Sequence, residues 1–270
     1  MSIISLGIAG CLGRMGSEFV KKILLDNRVK LSGGFEHSTH PSLGKKISDI
    51  VNCKSNLIVS SNAKEVFKNS NVIIDFTVPE ATSHNIDLAL NTSTPIVIGT
   101  TGLNGKIISQ ISNASKSIPI LQSSNMSLGV NLLFQLVHKT AASLNEKSYD
   151  IEIAETHHKH KIDAPSGTAL SLGEFASKGR NKKFEKVGVF DRSRISKKRK
   201  TGDIGFAVTR GGEIAGEHTV SFIGENDRLD LTHKAFNRSI FVNGAIESAI
   251  FLAQQKAGLY SMKDLITFIS

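Results

Sequence analysis

The chain has 270 residues, 40% of them apolar and 21% charged, an ordinary balance for a globular protein and enough length for two domains. Its two cysteines, Cys11 and Cys53, exclude a disulfide framework and point to a reducing cytoplasm. The formal net charge of +9 suits nucleic acid and small anionic ligands alike, so the location of the charge matters more than its sum.

The N-terminal run MSIISLGIAGCLG is apolar, and Ile8-Ala9-Gly10-Cys11 superficially matches a lipoprotein cleavage site. No Lys or Arg precedes it and the run is short, which argues against an export signal. No stretch approaches the roughly 20 apolar residues of a membrane helix. From there the chain alternates β-branched runs with helical periodicity. Strands are expected over residues 3–8, 29–35, 72–76, 95–98 and 118–121. Helices are expected over 16–26, 79–91 and 105–116. Strands alternating with helices imply right-handed crossovers and a parallel, doubly wound, Rossmann-like α/β sheet.

The pattern changes near residue 127. A helix over 129–144 leads to a strand over 150–154, and another helix starts near Gly167 or Thr168. From 184 onward the runs KVGVF, DIGFAVTR, EHTVSFI and DRLDLTHKA read as antiparallel strands. They make a second α+β domain with an open mixed or antiparallel sheet. The last stretch, from about Ser239, is helical. Residues 1–127, completed by 239–270, are therefore expected as one domain and 128–238 as a second.

GIAGCLGRMG follows the first strand and opens the first helix. Gly7, Gly10, Gly13 and Gly16 give a G-x-x-G-x-x-G spacing. Residues without side chains let the backbone approach a pyrophosphate, and the helix N-terminus adds N–H donors and partial positive charge. Glu36 lies 20 residues past Gly16, where an acidic group hydrogen-bonds an adenosine ribose. Asp75-Phe76-Thr77, then Gly99, Thr100, Thr101 and Gly102, then Ser123, Ser124, Asn125 and Met126 close the next three strands. In open α/β sheets ligands sit beyond the carboxyl ends of the strands, and all these small polar segments fall on that edge. An arginine after Glu36 would favour a ribose 2′-phosphate. His37 stands there instead, and Arg14 could add a cation, so NADH and NADPH both stay open.

Residues 157–169 read HHKHKIDAPSGTA. A zinc site needs three or four ligands at defined spacings, and no H-x-x-x-H or C-x-x-C pattern occurs here, so no metal is expected. A hydride acceptor gains electron density and needs a proton donor, which histidine and lysine can supply. Ser166, Gly167 and Thr168 open a helix whose amides, with the Thr168 hydroxyl, could hold a carboxylate.

The segment EIAETHHKHKIDAPSGTA, from Glu152 to Ala169, resembles the 4-hydroxy-tetrahydrodipicolinate reductase (dihydrodipicolinate reductase) family of the diaminopimelate route to lysine. GCLGRMG, IDFTVPE, GTTG, SSNMSLGVN, TGDIGF, GEHTVSF and THKA extend the resemblance over nearly the whole chain. The resemblance implies a nicotinamide-dependent reductase of a cyclic dicarboxylate, in a homotetramer built through the second domain's sheets. It implies a proton donor/acceptor at His157 and a proton donor at Lys161. Substrate carboxylate contacts fall at His158, Gly167 and Thr168. Cofactor contacts fall at Gly10, Cys11, Leu12, Gly13, Arg14, Met15, Glu36, Gly99, Thr100, Thr101, Ser123, Ser124, Asn125 and Met126. Arg238 matches a family arginine and reads equally as a hinge salt bridge. Closure between the domains is expected, because the two sites lie on different halves. Val78 stands where some members carry arginine, His37 where arginine is often found, and the Ser123-Ser124 pair where alanines are common. The departure at His37 weakens any NADPH preference.

RSRISKKRK, residues 192–200, concentrates six cations. No aromatic residues interleave with it, so nucleic-acid binding is not expected, and a solvated loop is the first reading. A lid or subunit contact that attracts anions is the second. His218 and His233 fall in strands, where hydrogen-bonded structural histidines are the default.

Overall fold

A computed structural model describes residues 3–194 and 196–269; nothing is described of the Arg194 side chain. Met1 and Ser2 of the apolar N-terminal run, Ile195 of the basic run, and Ser270 lie outside the described residues. The chain divides into two compact units. The first runs through Leu128 and resumes at Ser239; the second is Gly129–Arg238.

The first unit contains β1 (Ile4–Ala9), α1 (Arg14–Ile23), β2 (Val29–Phe35), β3 (Val59–Ser60), α2 (Ala63–Lys68), β4 (Val72–Asp75), α3 (Pro79–Thr92), β5 (Ile96–Ile98), α4 (Gly105–Ala114) and β6 (Pro119–Gln122). The second contains α5 (Leu128–Ser143, from its second residue), β7 (Asp150–His157), α6 (Gly167–Gly179), α7 (Phe184–Val187), β8 (Gly188–Val189), β9 (Ile204–Arg210), β10 (Gly216–Ile223) and β11 (Arg228–Ala235). The chain returns to the first unit with α8 (Ser239–Leu252), β12 (Gly258–Tyr260) and α9 (Met262–Ile269).

In the first unit a parallel seven-stranded sheet has the order β12-β6-β5-β4-β1-β2-β3. Adjacent residues feed opposite faces, as a buried parallel strand requires. Ile74 joins Phe19, Val20, Ala245 and Ile246 on the α1 and α8 side, while Ile73 joins Ile86, Ile107 and Ile111 on the α3 and α4 side. The chain winds outward from β1 in both directions, so the order reverses between β1 and β4. That reversal opens the crevice in which such sheets bind ligands.

The doubly wound sheet matches the expectation from sequence. β3, α2 and β12 are additions, each too short to leave a readable period. The second unit's five-stranded sheet has the order β11-β10-β7-β9-β8 and is mixed. β10 runs antiparallel to β7 and β11, but β9 is parallel to β7 and β8 to β9. The purely antiparallel alternative therefore falls: the connection from β7 crosses through α6, and a helical crossover returns the chain in the same direction. KVGVF, expected as a strand, supplies the end of α7 and the two residues of β8.

Ile151, Ile153, Ile204, Val220 and Phe222 pack under α5 and α6. The alternate residues form the other face, with Ala207, Ala154, Thr219 and Thr232 in one cross-strand row. No helix of the described residues is long and apolar enough to cross a membrane.

Candidate active site

The carboxyl edge of the first unit's sheet is built from backbone. Gly10 has φ +66°, and its N–H donates to the Phe35 carbonyl at 2.9 Å. An added Cβ at Gly16 would lie 1.9 Å from the Gly10 oxygen, so only glycine lets α1 start tight against the loop. The first turn of α1 carries no acidic residue, which leaves its N-terminal field unopposed for an anion. Leu12 N–H donates to Glu36 Oε1 at 2.7 Å, tying the loop to the end of β2. Arg14 and His37 are exposed, and His37 Nδ1 lies 2.9 Å from the Thr39 hydroxyl. The Cys11 side chain is buried, with its thiol pushed up to about 12 by burial and by the Glu36 charge. Cys11 thus offers a ligand only its backbone. The glycine cradle and the acid at β2 fit the pyrophosphate and ribose of a dinucleotide.

The next two loops are knotted together by a buried acid. Thr77 donates to Asp75 Oδ1 from its N–H at 3.0 Å and its hydroxyl at 2.6 Å, and Asn85 donates to Oδ2 at 3.2 Å. The Thr100 hydroxyl, 3.4 Å from Oδ1, accepts from the Thr82 hydroxyl at 2.9 Å and from Thr77 N–H at 3.0 Å. Burial raises the Asp75 pKa against these donors. Gly99 leaves room for the Phe76 ring, which an added Cβ would approach to 2.2 Å. Thr101 and Ser124 are exposed. The Ser123 hydroxyl donates to the Asn125 carbonyl at 2.8 Å, closing the loop after β6. Met126 is core: Ser248 contacts its sulfur, and Gly244 of α8 approaches its carbonyl so closely that an added Cβ would lie 1.7 Å away. The returning C-terminal helix therefore supports this loop.

In the second unit, alternation along β7 puts Glu155 and His157 on one face. Both are buried, and His157 Nδ1 lies 2.5 Å from Glu155 Oε2. Arg210, at the end of β9, grips both oxygens of Glu155 at 2.8 Å, and Ser166 N–H donates to Oε1 at 3.0 Å. Burial alone would raise the Glu155 pKa, but the hydrogen bonds from Arg210, His157 and Ser166 hold it below the usual value. Burial lowers the His157 pKa, Glu155 opposes that, and Lys161 and Arg210 add to the lowering. His218, from β10, meets His157 edge-to-face with ring centroids 5.0 Å apart, and its Nε2 lies 3.1 Å from the Ser166 hydroxyl. Burial, then the His157 charge, push His218 down to about 4.

After His157 the chain turns over the loop between β9 and β10: His158 N–H donates to the Ile214 carbonyl, and Lys159 N–H to Gly212. His158 is half-buried, whereas His160 is exposed, and Glu213 faces His160 and Lys159. Lys161 Nζ pairs with Asp163 at 2.8 Å, and that hydrogen bond lowers the Asp163 pKa. Ser166 caps α6 by accepting from Ala169 N–H at 3.2 Å, with Gly167 and Thr168 forming the first helical turn. An added Cβ at Gly167 meets nothing within 4 Å, so the space beside it is open, while its N–H faces the Asp163 carboxylate and helps to lower that pKa. Among the described residues no group of three or more His, Cys, Asp or Glu is arranged to hold a metal ion.

The structure thus brings His157, Lys161, Gly167 and Thr168 onto one turn and one helix end. Sequence reasoning missed Glu155, Arg210 and Gly216 around them. A charged residue two positions before His157, inside an apolar strand, was the available signal for Glu155. His218 meets the default at Nε2 through Ser166, but His218 and His233 each keep a buried Nδ1 without a hydrogen-bond partner among the described residues. The basic run departs too. Arg199 pairs with Asp150 and Glu152 and donates to the Ile151 and Asp203 carbonyls, so the run is anchored to β7, with Lys197, Lys198 and Lys200 exposed. Arg238 is exposed just before α8.

Two family models match the chain: dihydrodipicolinate reductase, N-terminus, over residues 4–126, and dihydrodipicolinate reductase, C-terminus, over 129–266. A 4-hydroxy-tetrahydrodipicolinate reductase of Polynucleobacter necessarius is 40% identical over 97% of this chain and 98% of its own. One from Rhodopseudomonas palustris is 42% identical over 98% of each. Among solved structures, a dipicolinate-bound dihydrodipicolinate reductase from Paenisporosarcina sp. TG-14 shares the fold with a TM-score of 0.77, at 23% identity over 96% of this chain and 98% of that one. Matched by both models in the expected order and by named relatives from end to end, the chain belongs to the dihydrodipicolinate reductase family.

Proposed function

We propose that this protein reduces 4-hydroxy-tetrahydrodipicolinate to tetrahydrodipicolinate, the activity its relatives' names state. The end-to-end similarity to those relatives, at about 40% identity, carries the reading. A reduced nicotinamide dinucleotide supplies the hydride, and the 4-hydroxyl leaves as water. In this reading the first unit holds the dinucleotide. The loop from Gly10 to Met15 cradles its pyrophosphate, and Glu36 keeps Oε2 for the ribose while Oε1 holds Leu12 N–H. Gly99, Thr100, Thr101 and the 123–126 loop line the nicotinamide end, with the Asp75 knot fixing their spacing. NADH and NADPH both serve, because Glu36 favours a free hydroxyl while Arg14 offers a cation to a 2′-phosphate.

The second unit holds the cyclic dicarboxylate. His158 and the amides of Gly167 and Thr168 take its carboxylates, assisted by the α6 dipole. Lys161, held by Asp163, is the proton donor beside the reduced bond, and His157 is the proton donor/acceptor at Nε2. Four such chains assemble through the Ala207-Ala154-Thr219-Thr232 face, whose small side chains allow close approach of a second sheet.

The test is dinucleotide oxidation on addition of freshly formed condensation product of pyruvate and aspartate semialdehyde. The wild-type protein turns over, and Lys161→Ala cuts turnover by about 10²-fold or more at unchanged dinucleotide affinity. Absence of wild-type turnover with either dinucleotide overturns the reading.

A further inference from the structure

Glu155 is 2% exposed and has no solvent to share its charge, yet every lone-pair direction is claimed. Oε2 lies 2.5 Å from His157 Nδ1 and accepts from Arg210 at 2.8 Å; Oε1 accepts from Arg210 at 2.8 Å and from Ser166 N–H at 3.0 Å. A bidentate guanidinium fixes the plane of the carboxylate as well as its charge. Arg210 is itself held, donating to the Thr209 and Asp163 carbonyls. A carboxylate so fixed can only accept at Nδ1, so the histidine proton there is set and Nε2 is left as the working nitrogen. Gly216 completes the arrangement from β10. An added Cβ there would stand 2.9 Å from His157 Nε2, so glycine leaves that nitrogen uncovered.

We propose that Glu155, clamped by Arg210, is the positioning residue of the reaction: it fixes the His157 tautomer and aims Nε2 into the space that Gly216 leaves open. The inference deepens the reductase reading and rests on it for the role of His157. Sequence spacing singles out the His-Lys segment and passes over this acid, because its partner Arg210 lies 55 residues away. The charged and titratable groups facing His157 are Glu155 on its own strand, Arg210 from β9, His218 from β10 and Lys161 from the following turn.

The deciding measurement is the ¹⁵N spectrum of the histidine side chains, with His157 assigned by comparison with His157→Gln. In the neutral wild-type ring the proton sits on Nδ1 and Nε2 is bare. Glu155→Gln keeps the shape and offers its oxygen to Arg210, but turns an N–H₂ toward Nδ1. The tautomer then reverses, the His157 titration midpoint moves to lower pH because the carboxylate no longer favours the imidazolium, and kcat falls by roughly 10²–10⁴-fold. KM for the cyclic substrate and dinucleotide affinity stay close to wild type, which a merely structural role would not predict. A wild-type ring protonated at Nε2 overturns the proposal, whether or not the variant folds. A folded Glu155→Gln with unchanged tautomer and kcat overturns it as well. Failure of the wild-type protein to reduce the substrate instead removes the reductase reading, and the tautomer result still decides whether Glu155 orients His157.

Discussion

The dinucleotide edge of the first unit and the His-Lys turn of the second solve different problems with different materials. The first presents amides, hydroxyls and missing side chains, and its deeply buried acid, Asp75, is held by hydroxyl and amide donors rather than by a cation. The second presents charge held against charge: Glu155 with Arg210, Lys161 with Asp163, and Arg199 with Asp150 and Glu152. A polyanionic dinucleotide is bound well by dipoles that need no reorganisation. A reaction that moves protons needs groups whose ionisation is tuned, and tuning requires charges in low dielectric. The first site should therefore tolerate changes of pH and of exposed charge, while the second should respond sharply to both.

Removing the Arg210 cation is the harshest way to break that contrast. Arg210→Met strands Glu155 in the interior with only His157 and Ser166 as donors. A loss of about 3–5 kcal/mol in folding stability is expected, the magnitude for breaking one side of a buried pair. Combining it with Glu155→Gln should recover most of the loss, since no charge is then stranded. Denaturant unfolding of the two single variants and the double variant measures this. Additive destabilisation would show that Arg210 supports β9 by packing rather than by pairing with Glu155.

The second effect follows from His218, pushed down to about 4 from an ordinary 6.5. As pH falls below 6.5 the unfolded chain takes a proton that the folded one refuses until about pH 4. Folding stability is thus fully present above pH 6.5 and declines through that window, by ~3 kcal/mol in all. His157 and His233, both lowered mainly by burial, act with the same sign. Glu155 and Asp163 lose their own contributions only at lower pH, as each falls through a pKa already below the usual carboxylate value. Thermal melting between pH 7 and pH 4.5 should show a steep decline that His218→Gln flattens. Equal slopes for both proteins would mean that His218 is protonated in the folded state.

The contrast also explains what was legible in the chain. Gly10, Gly13 and Gly16 announce their site because backbone approach demands glycine at a fixed local spacing, and Glu36 because the length of one βαβ unit sets its offset. Local order carries the same information for His157, Lys161 and the Ser166-Gly167-Thr168 turn. The acid clamp was hidden because its members come from different strands: register alone brings Arg210 beside His157, and Gly216 enters from β10. The direction of β9 against β7 stays open in the sequence, between a mixed and an antiparallel sheet, for a related reason: runs of alternating residues do not state the direction in which a strand is entered. The two-residue strands β3 and β8 are defined by partners rather than by pattern.

The smallest effect sharpens the first half of the comparison. If the dinucleotide edge works through backbone, the few exposed charges near the ribose should bias cofactor choice only weakly. Glu36 already gives Oε1 to Leu12 N–H, so its repulsion of a 2′-phosphate is partly offset at source. His37 is exposed and engaged with Thr39, while Arg14 supplies a cation from the glycine loop. Attraction and repulsion of similar size, both screened by solvent, should leave the specificity constants for NADH and NADPH within about 100-fold of each other, or roughly 2.7 kcal/mol. Arg14→Ala should then lower kcat/KM for NADPH by about tenfold while leaving NADH nearly untouched, an exposed charge being worth on the order of 1 kcal/mol. Equal losses with both dinucleotides would place Arg14 over the shared pyrophosphate, and a starting preference above 100-fold would mean that a side chain, not the loop backbone, governs this edge.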